Sequence, residues 1–390
     1  MESIELFAGA GGLALGIAQA GFQHKFLLEK DRKACQTLKL NQNFLFKDTL
    51  EKQIIQSDIS TFSFDRVKNN ISLLAGGPPC QPFSRGGLHR SYLDRRDLFP
   101  QLLRAVRSLQ PKIVLIENVK GLLRKSFTEY FEYIILQLTY PKIVIKSDET
   151  WIEHLYRLEQ YHTKGKVKGL HYHVVFRLLN AADYGIPQKR ERVFIVGIRS
   201  DLNLEWSFPH PSHSQDGLLW EQWITKQYWE QHKIPCPQCP EQLIPRIKRL
   251  ESRLFPPEHQ RWLTVRDTIH DLPEPKEEDN QSIPNHTLHN GAKIYPGHTG
   301  SPLDEPAKTI KAGVHGVPGG ENMMQFADGK VRYFTIREAA RLQTFPDHYQ
   351  FEGSWTKILH QLGNAVPVLL AEKIADHLQM SLRSIESQHD

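Results

Sequence analysis

Through the first third of the chain, short apolar runs take turns with helix-periodic segments, and this alternation restricts the fold more than any other feature. Ser3 to Phe7, Lys25 to Leu28, Ile71 to Ala75 and Ile113 to Ile116 read as buried strands, whereas Leu13 to Ala20, Arg32 to Leu40 and Leu98 to Leu109 carry helical spacing. Strands separated by helices run parallel, since the crossover returns the chain to the same end of the sheet. Tyr172 to Leu178 and Arg192 to Ile198 flank a turn-rich stretch and are expected to add a closing antiparallel edge. The expected class is α/β, with a mixed, mostly parallel sheet.

The chain has 390 residues, enough for two domains, and its 39% hydrophobic and 24% charged content is that of a soluble globular protein. No apolar stretch is long enough to span a membrane, and no basic segment leads into a cleavable apolar one, so a cytoplasmic location is expected. Cys35, Cys80, Cys236 and Cys239 are too few and scattered for a disulfide framework. The net charge of +5 is compatible with a polyanionic partner without requiring one. Residues 140–170 are polar and aromatic and read as an insertion on the α/β core. From about 200 to 331 Pro, Gly, His and Trp become frequent, marking a second, smaller domain, and helical patterns return at Ile336 to Leu342 and Val368 to Leu378.

Three places carry chemistry. Gly76-Gly77-Pro78-Pro79-Cys80-Gln81-Pro82-Phe83-Ser84 delivers one cysteine from the end of an apolar run into a Gly/Pro-rich turn, which fixes the sulfur in place as a nucleophile needs. Phe7-Ala8-Gly9-Ala10-Gly11-Gly12 joins the first strand to the first helix, where glycines admit a nucleotide. Glu29, about 20 residues on, stands where a doubly wound fold binds ribose hydroxyls, and Asp58 is placed to accept from an adenine amino group. No Walker lysine follows the glycines, so a nucleoside without phosphates such as S-adenosylmethionine fits better than NAD or ATP. Finally, Lys112 to Ile116 ends in Glu117-Asn118-Val119, which puts a carboxylate at the same sheet edge as Cys80.

Taken in order, these segments resemble the motifs of DNA (cytosine-5) methyltransferases of the bacterial type II restriction-modification kind. The resemblance extends through Gln188-Lys189-Arg190-Glu191-Arg192, Arg337-Glu338-Ala339-Ala340-Arg341-Leu342-Gln343-Thr344-Phe345-Pro346 and Gly363-Asn364-Ala365-Val366-Pro367. It implies a Rossmann-like S-adenosylmethionine-dependent methyltransferase fold. A discontinuous catalytic domain would comprise 1–199 and 332–390, and a target-recognition domain 200–331. It implies that Cys80 adds to cytosine C6, that Glu117, its pKa raised by burial, acts at N3 and N4, and that Arg190 and Arg192 hold the cytosine O2, the pocket carboxylate or phosphates.

The cofactor, S-adenosyl-L-methionine, would meet Phe7, Ala8, Gly9, Gly11, Gly12, Glu29, Lys30, Asp58, Ile59, Pro79, Leu98, Asn364 and Val366. Double-stranded DNA would meet Gln81, Ser84 and Arg85 on a lid, and Lys308, Thr309 and Ile310 in the recognition region, with Lys311 and His315 nearby. A monomer paired functionally with a restriction endonuclease is expected, without a membrane partner. Cys236-Pro237-Gln238-Cys239 lacks a second ligand pair, so no metal is expected. A tRNA cytosine-5 methyltransferase and a non-catalytic DNA-binding regulator of the same fold are the rival readings. The base that removes the C5 proton is not identifiable.

Overall fold

The computed structural model describes residues 1–46, 53–65, 67, 70–79, 97–165, 169–277, 283–296, 298–313 and 322–389. Its centre is a seven-stranded sheet of β1 (Glu2–Leu6), β2 (Gln23–Glu29), β3 (Ile54–Gln56), β4 (Leu73–Gly76), β5 (Ile113–Val119), β6 (Tyr172–Asn180) and β7 (Glu191–Arg199). The spatial order is β3-β2-β1-β4-β5-β7-β6. The first five pair in parallel, and β7 runs antiparallel to both β5 and β6. The expected antiparallel edge is therefore present, and it brings the start of β7 to the same rim as the ends of β1 to β5.

Helices cover both faces. On one, α3 (Phe99–Leu109), α4 (Thr128–Thr139) and α5 (Trp151–Thr163) pack Leu102, Val106, Ile134, Leu155 and Leu158 over Ile4, Leu6, Leu74, Val114 and Ile116. On the other, α1 (Gly12–Gln19) and the C-terminal α9 (Val368–His389) pack Leu13, Ile17, Leu370, Ile374 and Leu378 over Leu73, Ala75, Ile113 and Leu115. Each such side chain contributes about 1.5–3 kcal/mol by leaving water. A Cβ on Gly16 would lie 2.5 Å from the Ala371 Cβ, so α9 rests directly on α1 and the two ends of the chain pack together.

The segment read as an insertion, 140–170, is not a loose addition. Helix α5 starts with a capping box between Thr150 and Glu153 and sends Leu155 and Leu158 into the core, and Trp151 meets Tyr130 and Tyr133 of α4 edge-on or tilted. Within the region read as the smaller domain, Leu202, Leu204, Trp206 and Phe208 pack on the α1–α9 side of the core. Beyond them lie short helices and strands of two or three residues. Helix α6 (Ile244–Glu251) is the longest of these helices, and a separate apolar cluster forms around Leu218, Tyr228 and Trp229. Helices α7 (Ile336–Leu342) and α8 (Trp355–Asn364) then lead into α9.

Candidate active site

The sheet register sets the functional segments side by side along one rim. Leu6 is opposite Leu28 and Gly76, Glu29 is opposite Gln56, and Gly76 is opposite Ile116. Immediately beyond these pairs come Asp58, Lys30, the Phe7–Gly12 turn, Gly77–Pro79 and Glu117, in sheet order. Arg192, facing Val119 across the antiparallel pair, completes the row. One end of the rim thus holds the nucleoside residues and the other the acid.

At the nucleoside end, Phe7 and Gly9 both adopt left-handed backbone, with φ of 59° and 54°. The turn is held from below by Glu29, which accepts from the Gly9 N–H through Oε2 and from the Lys30 and Asp31 N–H groups through Oε1, all at 2.7 Å. A carboxylate has about four acceptor positions, so one remains for a hydroxyl. Asp58 accepts from the Lys30 ammonium at 2.6 Å and from the Ser60 N–H and hydroxyl. The Lys30 bond first, then those from Ser60, bring its pKa down to about 2. Space beside Gly9 is open, since the nearest atom to an added Cβ there is 4.0 Å away. These features fit an adenosyl group: an open cradle, a carboxylate with one free acceptor position, and an ionised acid near it.

Five others of the residues expected at the cofactor, Ala8, Gly11, Gly12, Ile59 and Val366, are buried against the core. A Cβ on Gly11 would lie 2.6 Å from the Tyr349 hydroxyl, and one on Gly12 2.2 Å from the Val366 carbonyl, so both glycines face the core. Ala8, Ile59 and Val366 are buried among apolar side chains. Pro79 is exposed, Leu98 is half-buried just before α3, and Asn364 is exposed at the last turn of α8, four residues from His360.

At the other end, Glu117 is 8% exposed and sits 2.9 Å from Arg192, Oε1 to Nε. Burial raises its pKa, while Arg192 and then Arg190 pull the other way. A Cβ on Gly77 would lie 3.1 Å from Glu117 Oε2, so a side chain there would press on the acid. Beside it the Asn118 amide donates to the Pro78 carbonyl at 3.2 Å, while the Asn118 side-chain oxygen accepts from the Val119 N–H. Sequence reading quoted Asn118 without a role, and the structure makes it the clamp on the approach to Cys80. Cys80 itself, with Gln81, Ser84 and Arg85, lies outside the described residues, as does His315.

Arg190 departs from expectation. Its guanidinium is fully buried and donates to the carbonyls of Ile310 at 3.0 Å, Gly363 at 2.7 Å and Ala365 at 2.8 Å. It cannot also face a substrate, so it is a positioning residue joining three segments. Ile310 is likewise a core residue, not a DNA contact. Residues Ala307–Lys308 pair in parallel with Gln188–Lys189, and the Thr309 hydroxyl donates to the Lys189 carbonyl at 2.7 Å. The Lys308 ammonium donates to the Thr299 hydroxyl at 2.9 Å. Gln188, buried, accepts from the Ile310 N–H and donates to the Leu342 carbonyl. Among the described residues no group of three or more His, Cys, Asp or Glu is arranged to hold a metal, and no helix is long and apolar enough to cross a membrane.

The fold is that of an α/β methyltransferase: a mostly parallel sheet with one reversed strand, an open glycine turn on one half of its rim and a buried acid on the other. Solved methyltransferase structures share this architecture. Dnmt2 from S. pombe superposes with a TM-score of 0.55 at 19% identity, covering 98% of this chain and 99% of that one. A DNA modification methyltransferase from an E. coli prophage gives 0.58 at 22%, with 98% and 99% covered.

The chain belongs to the C-5 cytosine-specific DNA methylase family, whose pattern matches residues 1–140 and 157–380. It is 32% identical over 373 residues to the type II methyltransferase M.PspPI of Psychrobacter sp., covering 94% of this chain and 76% of that protein. It is 29% identical over 385 residues to M.NgoMIV of Neisseria gonorrhoeae, with 98% of each covered. The protein is accordingly a DNA (cytosine-5-)-methyltransferase of the bacterial type II kind.

Proposed function

We propose that the enzyme methylates C5 of a flipped-out cytosine within a short duplex sequence, using S-adenosyl-L-methionine and a transient Cys80–C6 bond, and so protects DNA from a cognate restriction endonuclease. The observation that carries this reading is the buried Glu117 carboxyl, held by Arg192 next to the glycine that leads toward Cys80. Cytosine C5 is a weak nucleophile until a thiolate adds at C6, and the charge that then develops on the ring needs a donor at N3. An acid whose pKa burial has raised is better suited to give a proton there. Arg192, with its fork partly committed to Glu117, orients the acid and faces the base O2.

The Phe7–Gly9 turn, Glu29, Lys30, Asp58, Leu98 and Asn364 would hold the cofactor, which supplies an electrophilic methyl carbon on a sulfonium. Glu29 would accept one ribose hydroxyl at its free position. C5 would take the methyl group from the bound cofactor, the enamine electrons forming the new C–C bond as the sulfonium carbon–sulfur bond breaks and leaves a thioether. Loss of the C5 proton to a base then returns electrons to the ring and expels the Cys80 thiolate. Extrusion of the base costs a few kcal/mol, offset by phosphate contacts from Gln81, Ser84, Arg85 and Lys308.

Transfer of tritiated methyl from the cofactor to unmethylated plasmid DNA, and a covalent complex with a 5-fluorocytosine duplex, test the proposal. A Cys80→Ala variant that still forms that complex would sink it.

A further inference from the structure

Helix α6 ends in an unusual tip. Its inner face buries Ile247 and Leu250, yet Leu254 and Phe255, just past its last turn, are 89% and 73% exposed. Single exposed apolar residues are ordinary, but an adjacent Leu-Phe pair left in water invites a partner. The tip is firm: the Ser252 and Arg253 N–H groups close the helix on Lys248 and Leu250, and Pro256-Pro257 fixes the backbone that follows. Around it the charge is basic. Residues 244–255 hold Arg246, Lys248, Arg249 and Arg253 against the single acid Glu251. Arg246 and Arg253 both reach Asp216, at 2.7 Å and 3.8 Å, whereas Lys248 and Arg249 are exposed and have no acidic partner among the described residues. An apolar tip beside two such cations is complementary to stacked bases between phosphates.

The lobe carrying this tip is moored beside the recognition element. Asp304 accepts from Arg266 at 2.6 Å, from the Tyr228 hydroxyl at 2.8 Å and, through its carbonyl, from Gln222 at 2.7 Å. The Val265 N–H donates to the Glu305 carbonyl. Two residues later Ala307 begins the strand that pairs with Gln188–Lys189 in front of the Glu117–Arg192 site.

We propose that Leu254 and Phe255 form an apolar wedge that enters the DNA between base steps, with Lys248 and Arg249 on the flanking phosphates. The wedge rests on the reading of the protein as an enzyme acting on duplex DNA. Inserted Leu and Phe side chains part base steps and kink a duplex, which lowers the cost of extruding a base from it.

The test measures methyl transfer to unmethylated plasmid DNA by the full chain over a range of salt. Leu254→Ser/Phe255→Ser removes no packed side chain, so its melting temperature should stay at the wild-type value. Its KM for DNA should rise about tenfold or more, with KM for the cofactor unchanged. A Lys248→Gln/Arg249→Gln variant should flatten the dependence of log(kcat/KM) on log[salt] by about 2. Absence of methyl transfer by the wild-type protein would overturn the DNA reading and the wedge with it. Wild-type transfer with both variants kinetically unchanged would overturn the wedge alone, as would loss of a dimer in sedimentation on the Leu254/Phe255 substitution.

Discussion

The Arg192 guanidinium meets the Glu117 carboxylate at 2.9 Å in a pocket where both side chains are nearly closed off from water. Burial raises the Glu117 pKa, and the arginine lowers it. Removing Arg192 therefore shifts the balance toward the protonated acid.

In an Arg192→Met variant, the descending limb of kcat/KM against pH should move to higher pH, while the maximum falls on the order of 10²-fold from loss of the donor to the base. Glu117→Gln should remove the limb and lower kcat by about 10²- to 10⁴-fold. A limb that stays in place in Arg192→Met would mean another group sets it.

Arg190 and Arg192 are two residues apart, yet they should fail in different ways. Arg190→Lys leaves a single ammonium where a planar fork served three carbonyls 120 to 175 residues away. Stability should drop by about 3–5 kcal/mol, read from urea unfolding, because buried carbonyls lose a charged donor. Arg192→Gln should unfold like the wild type and be nearly inactive.

What the sequence made legible were features whose causes are local. Helix Arg32–Leu40 begins after Asp31, whose side chain accepts from the Ala34 N–H, and Ile336–Leu342 after Thr335, which forms a capping box with Glu338. Both helices have the bounds their patterns suggested. Helix α8 was hidden because glycines bracket it, Gly353 before and Gly363 within, and no side chain caps its start. Strand β3, with three residues, is too short to show a period. The site divides in the same way. Glu117 and Glu29 could be placed on the sheet rim because each follows directly on an apolar strand run. The burial of Arg190 and Ile310 comes from segments far along the chain, and local spacing carries no trace of that.

Asn118 should matter to the rate of thiolate addition and not to the cofactor. Its amide holds the Pro78 carbonyl, two residues before Cys80, so Asn118→Ala frees the segment to wander. A misplacement of about 1 Å can cost on the order of 10²-fold. The rate of covalent trapping by a 5-fluorocytosine duplex should fall by that order, with cofactor affinity within twofold of wild type.

Two glycines of one turn should respond oppositely to alanine. Gly12→Ala drives a Cβ to 2.2 Å from the Val366 carbonyl at the α8–α9 junction, which must move and carry Asn364 with it. Gly9→Ala meets open space and costs only its positive φ, about 1 kcal/mol. Calorimetric cofactor binding should therefore be lost or cut severely in Gly12→Ala. Gly9→Ala should keep its fold and lose affinity only if the cofactor backs onto that open space.

The last expectation concerns acid stability. His24 is fully buried between β1 and α1: its Nε2–H donates to the Ala14 carbonyl at 2.8 Å, and the Ser3 hydroxyl donates to Nδ1 at 3.0 Å. A carbonyl can only accept, so this neutral tautomer is fixed, and burial lowers the pKa from 6.5 to about 4. The unfolded chain therefore binds a proton that the folded one refuses. The contribution is whole above pH 6.5 and is lost as the pH falls from there through about 4. Between pH 7 and pH 4.5 it amounts to about 2–3 kcal/mol. His24→Gln, lacking a titrating ring, should start less stable at pH 7 because it fits the two partners less well, but its unfolding free energy should fall by about that much less on acidification. Equal losses for the two proteins in urea titrations at both pH values would show that His24 is already protonated, or exposed, in the folded state.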